Sequence, residues 1–115
     1  MAKQNGKVFK VKKDETVVYE GKANYCFTGH YAHAIMGDAM LTDKRFLFKS
    51  DLTLTREDKY LEIPIEEIDF VSKTGIPLLT SSLYICCSSH TGKNYRVIVY
   101  HMKKWLNAFQ KVLSK

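Results

Sequence analysis

Apolar and polar residues alternate with a period of two through most of this chain, and only the last fifteen residues follow another rhythm. From Thr16 to Thr28, "TVVYEGKANYCFT" is dense in Val, Tyr and Phe, a composition that favours strand over helix, with Gly21 as a point where the chain could bend. From Ile35 the alternation puts Ile35, Gly37, Ala39 and Leu41 on one strand face and Met36, Asp38 and Met40 on the other. The small residues on the first face predict close approach by something bulky, for which the C-terminal helix is a candidate. Gly37 predicts a bulge or sharp bend. Thr42, Asp43 and Lys44 then separate this strand from "RFLFKS", and an Asp in so short a connection predicts a hairpin turn held by its side chain.

Further strands are predicted at Leu52 and Leu54, at Leu61, Ile63 and Ile65, and in "EEIDFVSK", before Gly75 and Pro77 break the pattern. Pro64 lacks an N–H and so belongs on a sheet edge or at a bulge. "LYICCSS", "HTGK" and "NYRVIVY" form the plainest hairpin, with Gly92 in its turn. After His101 the period changes: Met102, Trp105, Leu106, Phe109, Val112 and Leu113 recur every three or four residues, which is one amphipathic helix. Six or seven antiparallel strands followed by one helix close most economically as two packed sheets or a partly open barrel, with the helix plugging an end through Trp105 and Phe109.

At 115 residues the chain has room for one domain, and 45% hydrophobic with 26% charged residues is an ordinary soluble composition. Residues 1–13 are read as a basic, flexible tail and residues 14–115 as the domain. The formal charge of +6 belongs to the ends: residues 1–13 carry +5, residues 103–115 carry +4, and everything between carries −3. A binding groove for DNA or RNA needs basic and aromatic residues interleaved on one face, and the middle of the chain does not supply them, so no nucleic-acid partner is expected. No apolar run approaches the roughly 20 residues of a membrane-spanning helix, and the N-terminus has no secretory pattern; a cytoplasmic location is expected. Cys26, Cys86 and Cys87 form no spaced framework and are expected as reduced thiols, Cys86 and Cys87 on opposite strand faces.

The sequence offers little chemistry. Cys26, His30, His33 and Asp38 are metal-ligating types, but in an extended chain His30 and His33 face opposite ways and no second pair completes a tetrahedral set. The adjacent Cys86 and Cys87 have no basic neighbour to activate them. Nucleophile-elbow, phosphate-loop and dinucleotide motifs are lacking. No enzyme activity, cofactor or small-molecule substrate is therefore expected. Lys22, Lys44, Arg45, Lys49 and Lys73 remain as candidates for contact with an anion or an anionic membrane, each exposed cation adding on the order of 1 kcal/mol at such a surface. Against this, Arg45 has an alternative role, bracing the hairpin through Asp43 or nearby Glu residues.

The stretches "VVYEGKANY", "GDAMLTDKRFLFKS", "IPIEEIDFVSKTGI", "LYICCSSHTGKNYRVIV" and "KKWLNAF", in this order, resemble the GRAM family of pleckstrin-homology-like domains, especially its bacterial stand-alone members. The resemblance spans about Val17 to Leu113 and rests on Gly37, Leu41, Thr42, Arg45, Phe48, Ile63, Pro64, Ile68, Gly92 and Trp105. It implies a mainly β fold, a barrel of two near-orthogonal antiparallel sheets with about seven strands, capped by the C-terminal helix. It also implies a non-catalytic binding module that docks onto a protein partner or onto itself. The alternative it implies is a peripheral membrane module for anionic lipid or phosphoinositide head groups, at the inner membrane face. Pleckstrin-type head-group sites draw Lys and Arg from the connection between the first two strands, whereas here that segment, "GHYAHAIMG", contains neither.

Overall fold

A computed structural model describes residues 9–26, 34–51, 59–74 and 82–114. Seven strands, β1 (Val17–Cys26), β2 (Ala34–Thr42), β3 (Arg45–Ser50), β4 (Tyr60–Pro64), β5 (Phe70–Thr74), β6 (Ser82–Cys87) and β7 (Lys93–Val99), precede one helix, α1 (Met102–Leu113). A short 3-10 turn, Ile65–Glu67, lies between β4 and β5. Every neighbouring pair is antiparallel, and the strands form one continuous sheet in the order β4-β3-β2-β1-β7-β6-β5. The two expected sheets are thus halves of one, sharing β1, which runs beside β2 along its length and meets β7 only at Ala23, Asn24 and Tyr25. Leu52, Leu54, Gly75 and Pro77 lie outside the described residues.

β1 continues through Gly21 without a break in its pairing to β2, and its register shift falls between Val17 and Tyr19. A side chain at Gly21 would lie 3.9 Å from the Trp105 ring, so this position admits the helix's largest residue. At Gly37 the bulky neighbour is strand β3 rather than the helix. A Cβ there would overlap the Lys49 carbonyl oxygen and approach Phe48 Cζ to 2.8 Å, which is why the position has no side chain.

The helix forms because one stripe of it completes the core. Its first turn holds no acid, so the macrodipole is uncompensated there and packing of the apolar face supplies the stability. Trp105, Ala108, Phe109 and Val112 are buried. The Trp105 ring meets Tyr19 edge-on at 4.8 Å and Phe46 at 6.0 Å, and Phe109 lies 5.5 Å from Phe46. His101, in the left-handed region (φ 59°), swings the chain from β7 into the helix. Around the helix stripe, Ala23, Leu41, Phe46, Phe48, Ile63, Leu83, Ile85 and Val97 complete the main core.

A second apolar cluster lies on the other face of the sheet. Met40 and Leu47 point away from the helix, yet each is only 1% exposed, because Phe9, with Val11 and Val17 beside it, covers them. Of the segment read as a tail, Phe9–Lys13 is described, and Phe9 itself is 5% exposed.

Candidate functional site

The β2–β3 connection is a tightly bonded corner. Neither Asp43 nor Lys44 has a positive φ, so the hairpin lacks the mirror-image turn that best suits strand twist and relies on side chains instead. Thr42, not Asp43, closes it: the Thr42 hydroxyl accepts from the Lys44 and Arg45 N–H groups at 3.1 and 3.0 Å and donates to Glu15 Oε2 at 2.6 Å. Asp43 reaches across to the start of β1, where its Oδ1 accepts from the Thr16 N–H at 2.9 Å. The Asp43 N–H in turn donates to the Thr16 carbonyl.

Arg45 sits behind this turn and is committed to acids. Its Nε donates to Glu15 Oε2 at 2.7 Å, Nη2 to Glu15 Oε1 at 3.1 Å and to the Lys10 carbonyl at 2.8 Å, and Nη1 lies 3.3 Å from Glu62 Oε2. Burial pushes the Glu15 carboxyl up, but hydrogen bonds from Arg45, Thr42 and the Lys12 N–H, with the Arg45 charge, outweigh it and bring its pKa down to about 2. The bracing role expected for Arg45 is thus filled by Glu15 and Glu62 rather than by Asp43.

The other candidate cations are spread over the molecule. Lys22 pairs with Asp38 at 3.0 Å and lies 3.9 Å from Asp51, while Lys49 stands opposite Asp38 on the next strand. Lys44 is exposed on the turn, and Lys73 is exposed on β5, at the opposite edge of the sheet from β4. His30 and His33 lie outside the described residues, and no group of three His, Cys, Asp or Glu among the described residues could hold a metal ion. Cys26, Cys86 and Cys87 are free and buried, and burial first, then the charges of Glu67 and Asp69, pushes the Cys87 thiol up to about 11. No helix among the described residues is long and apolar enough to cross a membrane.

Asp69, Ser89 and His90 bring together the residue types of a hydrolytic triad, but in the wrong order. The Asp69 carboxylate accepts from both the Ser89 hydroxyl and its N–H (2.9 Å), and His90 Nδ1 faces Ser89 Oγ at 3.1 Å and Asp69 Oδ1 at 3.2 Å. A nucleophilic serine needs the base between itself and the acid. Here the acid holds the hydroxyl directly, and the arrangement ties the β6–β7 turn to the start of β5. The Ser89 hydroxyl, then its N–H, keeps the Asp69 carboxyl below its usual range.

Among the described residues, a groove of about 390 Å³ lies between β5 and α1. Asp69, Phe70 and Val71 wall one side and Leu106, Gln110 and Leu113 the other, with the buried Phe109 between them. Phe70 is 50% exposed and rests against Tyr84. β5 pairs with β6 along one edge, and among the described residues no strand pairs with its other edge. The sequence did carry a sign of this groove: Leu106 and Leu113 widen the apolar stripe of the helix beyond what the core takes up, and both remain only partly buried.

No family model matches this chain, and no curated protein matches it by sequence. Solved structures do match its fold. The C-terminal domain of an unknown protein from Leishmania infantum superposes with a TM-score of 0.69 at 14% identity, over 88% of this chain and 86% of that one. The Vps36 N-terminal PH domain gives 0.63 at 13% identity, over 91% and 86%. The hSac2 domain from human phosphoinositide phosphatase Sac2 gives 0.62 at 9% identity, over 95% and 77%. At such identities the likeness is one of fold, and the fold of this chain is pleckstrin-homology-like.

Proposed function

We propose that the chain is a non-catalytic docking module of the GRAM type, which engages another protein or a second copy of itself. The observation that carries this reading is the edge of β5, unpaired among the described residues, beside the β5–α1 groove. Unpaired strand edges are usually blunted by proline, charge or a covering element. β4, at the other edge, has Pro64 and a Glu62 paired to Arg45, whereas β5 reads "FVSKT", with Lys73 as its one charge, and sets its exposed Phe70 beside the groove. Further support comes from the interior, where Trp105, Phe46, Phe48 and Phe109 fill the space a reaction chamber would need. The scattered cations favour a protein partner over a lipid head group, since a membrane contact needs several charges on one surface.

Two measurements on the whole chain test the reading. Capture from an extract of the source cell should retain a partner or a second copy, and Phe70→Asp should reduce that retention. Flotation with phosphatidylcholine vesicles, with and without phosphatidylserine, should show no dependence on the anionic lipid at low salt. Strong flotation on anionic vesicles together with no protein capture would overturn the proposal in favour of a peripheral membrane module.

A further inference from the structure

We propose that the outer face of β2 and β3 is a self-association surface, on which two copies of the chain exchange their Phe9 arms. The surface lies apart from β5 and does not depend on what β5 docks. Strand register builds the seat: Glu20 pairs with Met40, Met40 with Leu47, and Leu47 with Glu62. Cross-strand partners share a face, so one row over β1–β4 has an apolar centre and an exposed acid at each end. Phe9 fills the centre, where Met40 and Leu47 are buried beneath it. The arm matches this row in pattern and in charge. Phe9 and Val11 join the apolar cluster, while Lys10, Lys12 and Lys13 are exposed and bring positive charge toward the face that holds Glu20 and Glu62.

A turn, not a strand, joins the arm to the body. In it the Glu15 N–H donates to the Lys12 carbonyl at 3.1 Å and the Lys12 N–H to Glu15 Oε1 at 2.9 Å, with Lys12, Lys13 and Asp14 exposed. Opening this turn leaves Glu15 on the body, still bonded to Thr42 and Arg45. The arm itself is held by the Phe9 cluster and by its Lys10 carbonyl, which accepts from Arg45 Nη2 at 2.8 Å. Every group that receives it belongs to the body, so the arm of a second copy makes the same bonds. Exchange adds no contact that the single chain lacks; it moves a stabilising one from within a chain to between two. What opposes it is the tether, whose effective concentration is on the order of millimolar for a short link. The chain is therefore monomeric at micromolar concentration and exchanges arms toward millimolar. Shortening the hinge, so that the arm no longer folds back, shifts the balance to a reciprocal two-fold dimer.

The test combines sedimentation with a spin label. Deleting Lys13 and Asp14 should give a dimer at micromolar concentration, and adding Phe9→Ala to that variant should weaken the dimer about tenfold or more. A label on Lys10→Cys reports where the arm lies, since position 10 is exposed whereas Cys26, Cys86 and Cys87 are buried. When the spin-labelled chain is mixed with an isotope-labelled one, the amides of Glu20, Met40, Leu47 and Glu62 in the second chain should broaden. Phe70→Asp should leave dimer and broadening unchanged, which separates this surface from the β5 face. A shortened chain that is folded yet monomeric would overturn the proposal, as would a dimer indifferent to Phe9→Ala or broadening centred on residues 70–74. If the shortened chain fails to fold, the same mixture is made with the unshortened chain near millimolar concentration. Broadening at those four amides then supports the exchange, and its absence rules the exchange out.

Discussion

The two edges of the sheet are built by opposite means. Around β3 and β4 the buried polar groups are tied together: Thr42, Glu15, Arg45 and Glu62 form one connected set, Asp43 ties the turn to Thr16, and Phe9 seals the outer face over Met40 and Leu47. Around β5, among the described residues, the edge borders a groove and a helix flank with two partly buried leucines; the exposed aromatic there, Phe70, stands beside that groove, whereas the exposed Tyr60 of β4 bonds to Glu62. A scaffold that spends its polar bonds on one side can keep the other open without losing its shape. The division predicts that stability is concentrated at the Arg45 end and binding at the β5 end.

The largest expected effect comes from Arg45→Met. Glu15, whose side chain is fully buried, would lose its counter-ion, and breaking one partner of such a pair costs roughly 3–5 kcal/mol. Urea unfolding at neutral pH should show this as a large drop in midpoint. Acid should reach the same group in the wild-type chain. The folded pKa of Glu15, about 2, lies below the ordinary 4.5, so its contribution is present in full above pH 4.5 and is lost as pH falls toward 2, a change of roughly 3 kcal/mol. Melting curves from pH 6 to pH 2 should trace that loss and should flatten in Arg45→Met, where only the Thr42 hydroxyl and the Lys12 N–H still favour the ionised carboxyl. A profile as steep in the variant as in the wild type would assign acid lability to other groups.

The remaining effects are smaller. Asp43→Ala removes the acceptor for the Thr16 N–H and should cost about 1 kcal/mol, read as a lower melting temperature. Phe70→Ser, on the open side, should change stability by about 0.5 kcal/mol or less while weakening partner capture. A Phe70→Ser penalty as large as that of Arg45→Met would erase the contrast between the two edges.

Much of the architecture could be read from local pattern. The two-residue alternation marks β2, with Ile35, Gly37, Ala39 and Leu41 facing inward, and the shift to three- and four-residue spacing marks α1 and its Trp105 and Phe109 stripe, because each signal lies within a single element. Burial of Met40 and Leu47 could not be read that way. They occupy the outer face of the sheet and are dry only because Phe9, from a lysine-rich stretch, folds over them. The pairing of Glu15 with Arg45 was hidden for a similar reason, since it joins residues distant in sequence; spacing left Asp43 and several Glu residues as equal candidates. Of the candidate cations Lys22, Lys44, Arg45, Lys49 and Lys73, the strand register sets Lys22 and Lys49 on either side of Asp38, and Arg45 is held by Glu15 and Glu62, neither of which composition alone discloses. The groove depends on how far the helix stands from β5, a distance no run of residues encodes by itself.

The short seam between β1 and β7 has a consequence for biosynthesis. The seam on the first strand must wait for the last to emerge, because residues 23–25 join the two halves by pairing with residues 97–99, and the helix that fills the interior comes later still. A nascent chain stalled before Val97 would hold β1–β4 with the inward side of Phe46 and Phe48 uncovered, an attractive target for a chaperone and for the protease that follows one.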